Sequence, residues 1–178
     1  MNEQDFMCGK AAVTCDDINF YLWCSVTKDS MLQLYQFILE SSMDITIHIN
    51  SIGGNFWDAQ AVIDLISRTK DFNITASVDG VVCSSAASIL FACHTRKFGR
   101  NAKILVHKPA TTLPPGEYVA DELKETIEGL EDCTARLYDL LVEKSNKDRA
   151  FWEEALTDGE YTPSPQEALE LGLIDEVM

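Results

Sequence analysis

The chain has 178 residues, of which 46% are hydrophobic and 24% charged, a composition typical of one compact globular domain. Fourteen basic against 29 acidic residues give a net charge of −15, spread along the chain, which argues against binding to nucleic acid or an anionic membrane surface. No apolar run approaches the roughly 20 residues of a membrane-spanning helix, and the N-terminus is polar and acidic, so we expect neither a membrane span nor a signal peptide and predict a cytoplasmic protein.

The first half of the chain alternates between strand and helix patterns. Residues 44–50 alternate isoleucine with polar residues, which predicts a half-buried strand, and Gly53-Gly54 follows it closely. The predicted elements are a strand at 18–26, a helix capped by Asp29 or Ser30, the strand at 44–50, a helix with an apolar stripe at 59–66, and a strand at 74–78 that ends at Asp79-Gly80.

The second half continues with a small, apolar helix and ends in a short helix and strand. His107 comes directly after the strand predicted at 102–106. The predicted elements are a buried helix within 83–92, the strand at 102–106, a proline-rich loop at 108–118, a long acidic helix at 117–147, a short helix ending near Gly172, and a last strand at 173–177.

Strands separated by single helices imply right-handed crossovers, so the pattern predicts an α/β fold with a mainly parallel sheet. We expect one domain over residues 1–178, with an N-terminal segment at 1–17 and a protruding long helix at 117–147. In such folds the functional loops lie at the carboxyl ends of the strands. Gly53-Gly54, Gly80 and His107 are all predicted at such ends.

The long acidic helix carries a narrow apolar seam. Its members are spaced alternately four and three residues apart, the spacing of a coiled-coil seam. They are Leu123, Ile127, Leu130, Thr134, Leu137 and Leu141. A helix of roughly 30 residues is longer than the body of one small domain, so it favours packing against a second copy of the chain.

Several residues could together perform acyl transfer, which needs a nucleophile, a base, a group that orients the base, and two N–H donors for the oxyanion. Ser84, Ser85 and Ser88 begin or line the buried helix, whose N-terminus exposes N–H groups. His107 ends the next strand, and Gly53-Gly54 offers bare backbone for close approach to a substrate.

The six cysteines do not form a close pair of the CxxC kind, which argues against a zinc site or a redox disulfide. They are Cys8, Cys15, Cys24, Cys83, Cys93 and Cys133. We expect reduced and mostly buried thiols. Cys83 is the exception, because its position next to the serines makes it an alternative nucleophile.

Four ordered motifs resemble the Clp protease proteolytic subunit (ClpP) family. ITIHINSIGG is similar to the family's strand and Asn-Ser-Pro-Gly-Gly turn, and GVVCSSAASILFAC resembles its Gly-x-Ala-Ala-Ser-Met-Gly-Ala segment. ILVHKP resembles its Met-Ile-His-Gln-Pro, and SPQEALELGLIDEV is similar to its ending. The resemblance covers residues 20–177 and implies the ClpP/crotonase-type fold.

The resemblance assigns a role to each candidate. It implies that Ser84 is the nucleophile and His107 the general base, with the backbone N–H groups of Gly54 and Ser85 forming the oxyanion hole beside Gly53. The family's third catalytic residue, an aspartate, falls on Glu160 by ungapped counting, while Asp158 stands two residues earlier as an alternative acid.

The chain also departs from the family pattern. Ile52 replaces a proline, Cys83 an alanine and Lys108 a glutamine, and the stretch from Ser84 to His107 is about two residues short. The N-terminal segment has no apolar axial-loop signature, which leaves open whether a hexameric AAA+ unfoldase docks.

The resemblance therefore implies a serine endopeptidase that cleaves peptides or unfolded proteins through an acyl-enzyme, without metal or cofactor, in a homo-oligomer of stacked rings. Three alternatives remain at this point. They are a crotonase-type acyl-CoA enzyme, a peptidase with a Ser-Lys dyad that uses Lys108, and an inactive ClpP-like scaffold subunit.

Overall fold

The computed structural model describes residues 13–178. The predicted single domain and N-terminal segment at 1–17 stay predictions, because residues 1–12 lie outside this range. The strands are β1 (Val13–Cys15), β2 (Asn19–Leu22), β3 (Ile45–Ser51), β4 (Ile74–Cys83), β5 (Thr95–Phe98), β6 (Lys103–His107), β7 (Glu160–Tyr161) and β8 (Glu176–Val177). The helices are α1 (Lys28–Glu40), α2 (Phe56–Arg68), α3 (Ser85–Ala92), α4 (Ala120–Lys144), α5 (Arg149–Ala155) and α6 (Pro165–Glu170).

A mainly parallel sheet forms the centre of the fold, as the alternating pattern predicts. Its strand order is β1-β2-β3-β4-β5-β8, and β6 pairs with β4 on one side and β7 on the other. The β1–β2 and β6–β7 pairs are antiparallel, and the other pairs are parallel. No helix within residues 13–178 is long and apolar enough to cross a membrane.

Strand β4 is longer than the predicted strand at 74–78, because it changes its pairing partner midway. Residues 75–78 pair with β5, and residues 81–83 pair with β6. Gly80 lies inside the strand at this change and not at its end, which corrects the prediction. A Cβ at Gly80 would lie 2.3 Å from Asn50 Oδ1, and that oxygen accepts a hydrogen bond from Val81 N. The extension carries β4 directly into the first turn before α3.

The first helix begins earlier than predicted. Its N-cap is Thr27 and not Asp29 or Ser30, because Thr27 and Ser30 form a reciprocal capping box. Thr27 Oγ1 accepts from Ser30 N, and Ser30 Oγ accepts from Thr27 N. The preceding strand is correspondingly short and ends at Leu22.

Four short elements were not predicted from the sequence: β1, β5, α5 and β7. Strand β5 has the sequence TRKF, without the apolar alternation of a half-buried strand, and β7 has only two residues. Both are held by pairing with distant parts of the chain, β5 with β4 and β8, and β7 with β6. Local patterns therefore carry no signal for them.

The long helix α4 spans 25 residues, fewer than the predicted 117–147, and only its second half is packed into the domain. Leu137 and Leu141 are buried, whereas Leu123 and Ile127 are 37% and 55% exposed. At its end, Arg96 Nη1 donates to Lys144 O at 2.9 Å, while Arg96 also binds Asp175 through its guanidinium.

The contact with Arg96 also shifts the protonation of Asp175. Partial burial by itself would raise the pKa of Asp175, but hydrogen bonds and charge attraction from Arg96 outweigh it, so that this pKa lies below its ordinary value. At neutral pH the pair therefore ties the end of α4 to β5 and to the C-terminal segment.

Candidate active site

Ser84 forms a strained turn between β4 and α3. Its φ of 56° and ψ of −132° make it the one non-glycine residue with positive φ in the described part of the chain. Ser84 N donates to Leu105 O at 2.9 Å, and Ser84 O accepts from Ala87 N at 2.9 Å, so the strand ladder ends and the helix begins at this residue. Such a conformation costs roughly 1–3 kcal/mol and is typical of functional sites.

The Gly53-Gly54 turn packs directly against Ser84. A Cβ at Gly53, whose φ is 89°, would lie 2.5 Å from Cys83 O and 2.7 Å from Ser84 Cβ. A Cβ at Gly54 would lie 2.1 Å from Val26 O. Neither position therefore accepts a side chain, and the glycines bring bare backbone next to the serine.

The two glycines differ in their N–H groups. Gly53 N donates to Ser51 Oγ at 3.1 Å, whereas Gly54 N has no hydrogen-bond acceptor among residues 13–178. Ser85 is the first residue of α3, where an N–H group has no partner within the helix. Gly54 and Ser85 thus offer N–H groups beside Ser84, and Gly53 does not.

His107 is the last residue of β6, and its ring is oriented by the backbone. Nδ1 lies 2.6 Å from Lys108 O, a contact that requires a proton on Nδ1 and leaves the lone pair of neutral imidazole on Nε2. Within the described residues, the ring forms no direct hydrogen bond with the Ser84 hydroxyl. In free enzymes such catalytic contacts are often long and tighten when substrate binds.

One cavity of about 340 Å³ brings these residues together. Its wall includes Gly54, Ser84, Ser85 and His107. In the sequence these residues lie apart: Gly54 follows the strand predicted at 44–50, the two serines begin the helix predicted within 83–92, and His107 follows the strand predicted at 102–106. Ser88 also lines this cavity, one helical turn beyond Ser85. Gly80 does not take part, because it lies within β4.

The two candidate acids lie on the other side of His107. Glu160 stands directly opposite His107 in the antiparallel β6–β7 pair, where side chains share one face with Cβ atoms about 4.5–5.5 Å apart. Asp158 lies just before this strand, and both acids line a second, open cavity together with His107. Neither carboxylate is hydrogen-bonded to the imidazole ring in the described residues. The pairing favours Glu160.

Two alternatives lose support from their positions. Lys108 lines the second cavity and is absent from the lining of the cavity that contains Ser84, which disfavours a Ser-Lys dyad. Burial raises the pKa of the Cys83 thiol, the opposite of what an activated thiolate nucleophile requires. Among residues 13–178, the cysteines are free thiols, with Cys15 exposed.

Helices α2 and α4 supply walls of the cavity that sequence analysis did not predict. Trp57, half-exposed at the start of α2, has the Arg136 guanidinium 5.4 Å from its ring centre. From α4 come Glu125, Gly129 and Cys133. Sequence contains no local signal for these residues, because α4 reaches Ser84 only through its packing on α3. In the described part of the chain, no cluster of His, Cys, Asp or Glu side chains could hold a metal ion.

The comparison with protein families decides the class of this protein. The model of the Clp protease family matches residues 22–178. The chain belongs to the Clp protease family. It is therefore a ClpP-like peptidase of the serine type, and the resemblance drawn from its four motifs is confirmed.

Curated relatives and a solved structure agree with this assignment. The ATP-dependent Clp protease proteolytic subunit 1 of Rhodococcus jostii is 32% identical over 155 residues, which cover 84% of this chain and 68% of that protein. The corresponding subunit of Thermobifida fusca is 30% identical over 148 residues, 79% of this chain and 62% of that protein. The chain thus spans about two thirds of the length of these relatives.

The fold of ClpP type is confirmed by a solved structure. A ClpP1 point mutant from Listeria monocytogenes has a TM-score of 0.78 with this chain at 20% sequence identity, and the match covers 91% of each chain.

The strain at Ser84 predicts that glycine is the more stable residue at this position. Replacing Ser84 by Gly removes the Cβ that disfavours positive φ, whereas Ser84→Ala keeps it. We expect Ser84→Gly to have a free energy of unfolding about 1 kcal/mol higher than Ser84→Ala, measured by urea denaturation. As a control within α3, Ser88→Gly should be about 1 kcal/mol less stable than Ser88→Ala. Equal stability of the two Ser84 variants would show that the turn is not strained.

Proposed function

We propose that this protein is a serine endopeptidase that hydrolyses peptide bonds in peptides or unfolded proteins, with Ser84 as nucleophile and His107 as general base. The observation that carries the proposal is the strained Ser84 turn packed against Gly53-Gly54 in the cavity that His107 also lines. Few structural roles require a non-glycine residue at positive φ against two glycines that accept no side chain.

The first half of the reaction forms an acyl-enzyme. The Ser84 hydroxyl attacks the peptide carbonyl as its proton passes to His107 Nε2. The tautomer with Nδ1 protonated leaves this nitrogen free to accept a proton. The Gly54 and Ser85 N–H groups bind the negative oxygen of the tetrahedral intermediate, each contributing about 3 kcal/mol to lowering the barrier. The imidazolium then returns the proton to the leaving amine as the C–N bond breaks.

The second half hydrolyses the ester. Water attacks the acyl carbon, His107 takes its proton, and the proton is then transferred to Ser84 Oγ as the acid product leaves. These steps use only side chains and backbone of this chain, together with water.

A carboxylate is needed to stabilise the imidazolium, and we assign this role to Glu160. The Lys108 carbonyl fixes the tautomer of His107 but carries no full negative charge. Glu160 is paired with His107 across β6 and β7. When substrate binds and positive charge develops on the ring, rotation of the Glu160 side chain can bring its carboxylate to Nδ1 in place of the Lys108 carbonyl. Asp158 lies outside the strand pair and has no register contact with His107.

We further propose that copies of the chain assemble through α4. Leu123 and Ile127, four residues apart, form an apolar stripe on the half of α4 that its own domain leaves exposed, and the exposed Val119 precedes them at the N-cap. Both belong to the predicted seam, whose later members Leu137 and Leu141 lie in the buried half of the helix. Stacking of such helices in pairs fits the ring assemblies expected of the family and would enclose the active sites.

Hydrolysis of a short fluorogenic peptide tests the catalytic pair. We expect Ser84→Ala and His107→Ala each to lower kcat at least 1,000-fold, because each removes a group that acts in the transition state. A fluorophosphonate probe should label Ser84 in the unsubstituted protein and fail to label the His107→Ala variant. Activity retained in Ser84→Ala and lost in Ser85→Ala would move the nucleophile by one residue. Absence of both hydrolysis and labelling in the assembled protein would instead support an inactive scaffold.

The matched variants Glu160→Gln and Asp158→Asn test the choice of acid, since each removes one charge with little change in shape. We expect Glu160→Gln to lower kcat at least 100-fold and Asp158→Asn to change it less than 3-fold, because only Glu160 faces His107. The reverse order of effects would assign the role to Asp158.

Native mass spectrometry tests assembly through α4. We expect a multimer for the unsubstituted chain and smaller species for Ile127→Lys, because a charge on the apolar stripe cannot be buried against another helix. Lys124→Glu, on an exposed position of the same helix, is the control and should leave the mass unchanged. A monomer at micromolar concentration before any substitution would contradict the assembly.

A further inference from the structure

Strand β7 carries the proposed acid and is only two residues long. It pairs Glu160 with His107 and Tyr161 with Val106 of β6. Because side chains alternate between the two faces of a strand, a shift of this pairing by one residue would turn Glu160 away from His107. A long strand resists such a shift through many backbone hydrogen bonds, which so short a strand does not form. Side-chain contacts of β7 therefore matter for where the acid stands.

Tyr161 attaches β7 to the body of the domain. Its ring meets the fully buried Trp152 of α5 edge-on, with the ring centres 5.9 Å apart. Trp152 is held in turn by a hydrogen bond from its Nε1 to Ser145 Oγ at 3.0 Å. Tyr161 is partly buried against the core, whereas its neighbour Glu160 is exposed. The tyrosine thus packs on the domain, and the glutamate lies on the opposite face of the strand beside the histidine.

A hydrogen bond holds the outer end of the Tyr161 side chain. Its hydroxyl donates to Glu167 Oε1 in the first turn of α6. Glu167 N donates in turn to Oγ of Ser164, the N-cap of that helix, at 3.2 Å. Burial, this hydrogen bond and the negative charge of Glu167 raise the pKa of Tyr161 to about 12. The hydroxyl therefore keeps its proton and remains a donor at neutral pH.

The backbone on the other side of Glu160 is also held. Gly159, with a φ of 95°, precedes the acid, and its carbonyl accepts from Lys108 N at 2.9 Å. A Cβ at Gly159 would meet no atom within 4 Å, so its backbone conformation and not packing favours glycine here. The turn before Glu160 and the side chain after it hold the acid from both ends. Of these two, the Tyr161 side chain can be changed without altering the backbone conformation.

We propose that Tyr161 positions Glu160 for catalysis, because its hydrogen bond to Glu167 holds β7 in the register that brings the acid beside the base. The inference rests on the proposed function and on its assignment of the acid. Tyr161 is not part of the wall of the cavity that contains Ser84, so it acts through Glu160 and not by touching the substrate. A small displacement of a catalytic group can cost a large factor in rate.

Steady-state hydrolysis of the fluorogenic peptide tests this role. Tyr161→Phe removes the hydroxyl and keeps the ring on Trp152. We expect kcat to fall about 10-fold and KM to change less than about 2-fold, because the acid acts in the transition state and not in binding. Tyr35→Phe on α1 is the matched control. The Tyr35 hydroxyl accepts a hydrogen bond from Arg68 Nη2 at 2.8 Å, and α1 lines neither cavity at His107, so kcat should stay unchanged.

A double-mutant cycle separates positioning from a merely structural role. If Tyr161 acts through Glu160, Tyr161→Phe in the Glu160→Gln background should change kcat less than about 2-fold. Glu167→Leu removes the same hydrogen bond from its other end and should match Tyr161→Phe. Glu167→Gln keeps an acceptor and should lower kcat less than about 3-fold. An unchanged kcat in Tyr161→Phe, or an equal loss in both backgrounds, would overturn the proposal.

The outcomes separate this inference from the proposed function. If Tyr161→Phe keeps full kcat while Ser84→Ala abolishes hydrolysis, the positioning role is wrong and the peptidase proposal stands. If the unsubstituted protein does not cleave the peptide, or if Ser84→Ala still does, the peptidase proposal fails and the positioning role fails with it. Thermal unfolding checks that Tyr161→Phe is folded at the assay temperature. Should it unfold there, Glu167→Leu in the same two backgrounds carries the test.

Discussion

The close packing of the Gly53-Gly54 turn on Ser84 is the contact on which the site depends. It places a strand end from β3 against the strand end from β4, at distances where a single added methyl group would collide with backbone or with Ser84 itself. The contact holds Ser84 in a conformation that an isolated peptide would rarely adopt. It also leaves the N–H of Gly54 beside the serine without an acceptor among residues 13–178. The backbone strain at Ser84 and the available N–H of Gly54 thus both result from the same contact.

The change of partner within β4 determines where this contact forms. The first part of β4 pairs with β5, and its last three residues pair with β6. As a result, the end of β4 lies next to the end of β6, where His107 stands. Gly80 permits the change because Asn50 occupies the space of its missing side chain. The nucleophile and the base therefore come from neighbouring strands, and β7 places Glu160 beside the base on the far side.

Helix α4 contributes to two levels of organisation. Its second half packs on α3, residues from both halves line the cavity, and its first half also exposes an apolar stripe. Because both halves belong to one continuous helix, contacts that the stripe makes in an assembly would also help to position the wall of the active site. Arg96 binds the far end of the helix through the Lys144 carbonyl.

Sequence alone determined the α/β class, the main strands and helices, and the family, because apolar periodicity and motif order are local properties of the chain. It also indicated Ser84, His107 and the glycine turn, since these lie at or near strand ends. It placed Gly80 wrongly and did not reveal β5, β7 or the residues of α4 in the cavity. Those features depend on which distant segments pair and pack, and no short stretch of sequence records that. Ser85 is a further example: the sequence gives its identity, but only the tertiary structure shows that its hydroxyl is buried with no hydrogen-bond partner among residues 13–178.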